Sequence, residues 1–342
     1  MNRVLFTINE VKEMISRGYH MFLAGDETAL QQLPRGHWIA GTTPYFMGEG
    51  GGLITKDKIL VTGVPGYTVS VKNHIYDIDS ISDVYQDIPA NGFGFIMIPA
   101  FSEIHKSFAL KAPNFPNFAT KPLLGWISGV LLDDLGKSTP KVINGETGEY
   151  FTDKALMVAV ELPPTKMADI GILNIFKQGD GDTITFDVDG FSVKEAKING
   201  NVVNFAEYVF SNSIDTKLPL VADYSGASIN ISIQAVDAEK QEVTFYAPVF
   251  KDVRYRFAAP VDNYFRDFMS LVLEDDFEEN LNISRENEKI ILFSCNCILN
   301  FLYSNLEGLK TGQMVGPITF GEVAYQLVNQ TLVYLTIYNQ PG

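Results

Sequence analysis

The chain has 342 residues, 46% hydrophobic and 12% aromatic, which is enough for a sizeable core and too apolar for wholesale disorder. Lys and Arg number 26 against 41 Asp and Glu, and the resulting net charge of −15 repels nucleic-acid phosphates and anionic membrane surfaces alike. The apolar runs at 123–132 and 155–162 fall well short of the roughly 20 residues a membrane helix needs, so neither kind of partner is expected.

The first residues carry early acidic side chains and no apolar signal region. The two cysteines, Cys295 and Cys297, stand one residue apart and form no disulfide framework. A cytoplasmic protein is therefore expected, and the length suggests two domains.

In chain order, Thr7 and Glu10 make a capping box for a helix whose Val11 and Ile15 share a face, with Gly18 as its stop. Asp26 is placed to cap a second helix over 27–33, ended before Pro34. The run 37–46 reads as a buried strand and its exit. The glycine-rich 48–52 segment lacks the Gly-Lys-Ser/Thr of a phosphate loop and reads as a mobile loop or lid. An uninterrupted apolar run at 92–101 predicts a strand covered on both faces. Ser102 and His105 follow it, either as a helix N-cap with a solvated histidine or as a polar pair at a strand end. Further strands are expected at 123–130 and 155–160, separated by a turn-rich polar stretch at 133–148. Pro163-Pro164 marks the boundary between domains 1–162 and 163–342.

In the second half, Asp180, Asp182 and Asp187 fail the spacing of a calcium loop and read as turn chemistry, with a strand at 183–188. Asn199-Gly200 predicts a tight hairpin. A short helix at 206–212 and strands at 220–224, 228–233, 243–250 and 254–257 suggest an antiparallel meander. Pro260 opens a helix with Tyr264, Phe265, Phe268, Leu271 and Val272 on one stripe, and 274–279 is a solvated acidic run. The fold class is thus α+β, two lobes of mixed sheets flanked by helices.

Candidate chemistry is sparse. A zinc site needs a second ligand pair that the sequence lacks, and no cofactor motif is present. Cys295, after an apolar strand and before an apolar helical stretch, reads either as a reactive thiol at a helix N-terminus or as a small residue buried at a corner. The Ser102/His105 pair is the other candidate for nucleophile or base.

The segment 293–331 carries Phe293-Ser294-Cys295, Glu307, a Gly316-to-Val323 block containing Gly321-Glu322, and Asn329-Gln330-Thr331. In that order these resemble the C-terminal half of FIST sensory domains. Gly41-Thr42-Thr43 and Leu123-to-Gly129 resemble strands of that family's N-terminal half. Asn296-Cys297 departs from the arginine-glycine that often follows its Ser-Cys. FIST domains are bacterial sensory modules thought to bind small ligands such as amino acids. The resemblance therefore implies a small-molecule ligand, an amino acid or small carboxylate, and a separate signalling partner. The expected ligand contacts are Thr42, Thr43, Cys295, Glu307, Glu322 and Asn329, with Tyr45 and Trp126 as apolar walls. An enzyme and a ligand-free assembly protein remain alternatives.

Overall fold

The structure, a computed structural model, describes residues 3–224, 227–273 and 290–340. Three of its apolar strands are each followed by a helix and then by a parallel partner. Met21–Gly25 leads through helix Glu27–Leu30 to Trp38–Thr42. Gly92–Pro99 leads through helix Glu103–Lys111 to Leu123–Ser128. Ile290–Cys297 leads through helix Ile298–Tyr303 to Gly316–Thr319.

Each parallel pair is extended in the same way. Beside the first strand lies an antiparallel one from later in the same unit: Lys58–Gly63, Ala155–Glu161 or Leu332–Asn339. An earlier strand, Leu5–Thr7, Ser70–Tyr76 or Lys166–Leu173, forms the edge. Beside the second strand lies a hairpin donated by another unit. Val142–Asn144 with Glu149–Phe151 completes the first sheet, Glu322–Ala324 with Gln326–Val328 the second, and Tyr45–Gly48 with Gly51–Ile54 the third. Three six-stranded mixed sheets of equivalent order result, each closed by its neighbour's hairpin. This is a pseudo-threefold repeat.

The inner faces of the three sheets share one core that includes Phe22, Phe95, Trp126, Phe293 and Cys295. Phe22 stacks on Phe95 at 4.0 Å, and Phe95 meets Phe293 edge-on at 4.7 Å, so aromatic rings link all three sheets. Burial of each such ring contributes about 1.5–3 kcal/mol. Gly41 is required here, because a Cβ at that position would lie 2.5 Å from the Trp126 ring. The outer face of the first sheet is covered by Val11 and Ile15 of helix Ile8–Ser16.

The third unit carries an insertion, 174–262, between its edge strand and its first central strand. It forms a six-stranded antiparallel sheet and a three-stranded one. Phe186, Phe205 and Phe245 of the insertion join Ile96, Ile98 and Phe108 in one core, so helix Glu103–Lys111 lies within the core shared by the second sheet and the insertion.

The α+β class and most local signals are found as expected. The Thr7–Glu10 capping box, the Asp26 and Ser102 caps and the Asn199-Gly200 hairpin are all present. Other elements differ. The 48–52 glycines are no lid: they form a hairpin turn, with Gly51 at φ +117° and Gly52 bonded through its backbone to Gly308 and Leu309. The turn-rich 133–148 stretch contains Val142–Asn144, recruited by pairing with the first sheet. The 183–188 strand shrinks to Ile184–Thr185. The helix assigned to Pro260 is Tyr264–Leu273, because Asn263 rather than Pro260 caps it, accepting from the Arg266 amide at 2.8 Å. The acidic run 274–279 lies outside the described residues. The 162/163 boundary falls between the second and third units, yet hairpins cross it in both directions.

Candidate functional site

The carboxyl ends of the three parallel pairs meet. Gly129 N donates to Thr42 O at 2.7 Å, Thr43 Oγ1 to Ile318 O at 2.8 Å, and Phe320 N to Ile127 O at 3.0 Å. Each second strand ends on a buried hydroxyl residue: Thr42, Ser128 and Thr319. Strand ends of open mixed sheets are where ligand sites commonly form.

The third corner differs from the other two. Its first strand runs on through Cys297, which occupies the N-cap position of helix Ile298–Tyr303. Cys295 therefore lies within the strand and not at a helix start, because the extended run continues past it. The donated hairpins begin with Tyr45, Val142 and Glu322. Only the last places a carboxyl there, so the repeat itself does not demand one.

Glu322 is 0% exposed and lies opposite Trp126 across the strand pair. Its Oε2 accepts from Thr331 Oγ1 at 2.8 Å and Thr331 N at 3.3 Å, and its Oε1 is 3.1 Å from Thr319 Oγ1. Burial pushes its pKa up to about 8, against the opposing pull of Thr331, Thr319 and Cys297. Geometry points the same way. Thr319 Oγ1 also lies 3.1 Å from Gly321 O and 3.3 Å from Asn296 O, and one hydroxyl proton cannot serve three acceptors. A protonated Glu322 donates to the Thr319 oxygen and leaves the hydroxyl proton for a carbonyl.

Both thiols are buried. Burial, then the nearby Glu322, pushes Cys295 and Cys297 well above the ordinary thiol range, so neither is poised as a thiolate nucleophile. The Ser102/His105 pair is a helix cap. Ser102 Oγ accepts from His105 N at 3.1 Å and donates to Pro99 O at 2.6 Å, while His105 is buried beside Phe191 and lowered by burial to about 4.

Asn329 accepts from Ser232 N at 3.1 Å and approaches Cys297 Sγ at 3.8 Å. Gln330 accepts from Ser232 Oγ at 2.6 Å, and Asn230 donates to the Gln330 carbonyl. The insertion thus covers this corner. Among the described residues, six buried side-chain polar atoms have no partner, and four belong here: Trp126 Nε1, Ser128 Oγ, Asn296 Nδ2 and Asn300 Oδ1. An unpaired buried polar group costs about 1–3 kcal/mol, so such a concentration calls for a reason.

Of the residues expected from sequence, Trp126, Cys295, Glu322 and Asn329 gather at this corner. Thr42 and Thr43 adjoin it but are bonded to backbone, to Lys141 and Ile318. Tyr45 is buried in a neighbouring cluster, with its hydroxyl accepting from Leu132 N. Glu307 is excluded: it is exposed, on the turn that pairs with Gly52. Ser128, Asn296, Asn300, Thr319 and Thr331 were missed, since small polar residues within apolar strands carry no distinguishing pattern.

The fold and this corner define an α+β protein of three hairpin-exchanging sheets around a buried polar cluster. Residues 6–338 match the family of unknown function DUF6976, and the chain belongs to that family. No curated protein matches it in sequence. Among the described residues no helix is long and apolar enough to cross a membrane, and no group of His, Cys, Asp and Glu is arranged to hold a metal.

Proposed function

We propose that this is a soluble, cytoplasmic sensory protein that binds a small polar ligand, an amino acid or small carboxylate, and signals through a partner. The observation that carries the reading is the group of unpartnered buried atoms on Trp126, Ser128, Asn296 and Asn300, which lie on the strands and helix that meet at the Glu322 corner. Trp126 Nε1 and Asn296 Nδ2 are donors, Ser128 Oγ is donor or acceptor, and Asn300 Oδ1 is an acceptor. A carboxylate matches the donors, and a neutral Glu322 does not repel it. An amino acid adds an ammonium, which donates to Asn300 Oδ1. The resemblance of 293–331 to FIST sensory domains points in the same direction.

A thermal-shift screen with amino acids and small carboxylates tests this. Millimolar ligand at 100 times its dissociation constant adds about 2.7 kcal/mol of stability. Loss of the shift in Trp126→Phe and Asn296→Ala is expected. Absence of any shift across the panel in folded protein overturns the reading.

A further inference from the structure

We infer that the ligand carries an aromatic or bulky apolar side chain, held by Phe101 and Phe320 at the rim of this corner. The inference rests on the ligand-binding reading above and names the ligand class.

Phe320 follows Thr319 directly, and its ring covers Gly129, where a Cβ would lie 2.4 Å from it. It therefore packs beside Gly129, the residue after Ser128, and is joined directly to Thr319 of the Glu322 network. Phe101 meets Phe320 edge-on at 6.0 Å. It leaves the Gly92–Pro99 strand just beyond Ala100, whose amide donates to Ser128 O at 3.3 Å.

Two properties of Phe101 are unusual together. The residue is 53% exposed, and its backbone is left-handed at φ +64°, where a bulky side chain is strained. A core-filling role explains neither, because the ring fills no core. Glycine would adopt this conformation without strain. Leu131 and Leu132 and the half-buried Tyr246 pack against the same cluster as Phe320, so an apolar rim borders a polar interior. A molecule with a polar head and an aromatic tail matches both.

Calorimetry at pH 7 with L-phenylalanine, L-alanine, phenylacetate and acetate tests the inference on wild type, Phe101→Gly and Phe101→Ala. Wild type is expected to prefer each aromatic ligand over its small counterpart by at least about tenfold. Phe101→Gly relieves strain, so it should melt at an unchanged or higher temperature while losing most of that preference and keeping its affinity for alanine or acetate. Equal binding of small and aromatic ligands by wild type overturns the aromatic subsite, as does a preference that survives in both variants. If none of the four binds folded wild type, the ligand reading itself fails and this inference falls with it.

Discussion

Glu322 Oε2 lies 2.8 Å from the Thr331 hydroxyl, and both residues are sealed from solvent. A carboxyl so placed makes the stability of the fold depend on pH. Unfolded glutamate titrates near 4.5 and folded Glu322 near 8, so between these values the native state holds the extra proton. Stability then falls as pH rises, by about 1.4 kcal/mol per unit.

His105 acts in the opposite sense. Its pKa drops from 6.5 to about 4 on folding, so between these values the unfolded chain holds the extra proton and stability rises with pH. The two slopes oppose each other between about 4.5 and 6.5 and leave a decline from about 6.5 to 8. Urea denaturation across pH 5–9 should show that decline in wild type, with Glu322→Gln flat over the same interval. A wild-type protein whose stability is level from 6.5 to 8 contradicts a buried neutral carboxyl.

Cys295 and Cys297 should resist iodoacetamide at pH 7–9 in the native state and react fully in denaturant, because both are buried and raised by burial. Mass spectrometry counts the adducts. Rapid native alkylation of either thiol would restore the enzyme reading.

Ser102→Ala should cost about 1 kcal/mol of stability through loss of the helix cap. Ligand-induced thermal shifts should be unchanged. A variant with normal stability but altered binding would show that Ser102 serves the site and not the helix.

Gly41→Ala should destabilise the fold by about 1–3 kcal/mol, since its Cβ drives into the Trp126 ring. Intrinsic fluorescence should report a displaced Trp126. A variant as stable as wild type, with an unchanged spectrum, would mean that the inner core has room.

Local chemistry was legible because it acts over three or four residues. Thr7 and Glu10 cap a helix by their own reach, Asn199-Gly200 turns by its own dihedrals, and an apolar run such as 92–99 must be covered on both faces. Glu322 and Asn329, singled out by their place in a motif, lie at the candidate corner. Pro260 misled because a nearby asparagine supplied the better cap. Glu307 misled because motif order says nothing about exposure.

The sequence by itself determined the α+β class, the chain's net negative charge and the central strands at 38–42, 92–99 and 123–128. The threefold arrangement was decided only in three dimensions. Each sheet is completed by a hairpin from another unit, and those pairings join residues as distant as Phe46 and Pro317 through backbone bonds that carry no side-chain signature. The same exchange sets Glu322 opposite Trp126 and beside Cys297. That juxtaposition turns an ordinary glutamate into a buried, protonated one: no local pattern specifies its neighbours, and burial among them is what moves its proton.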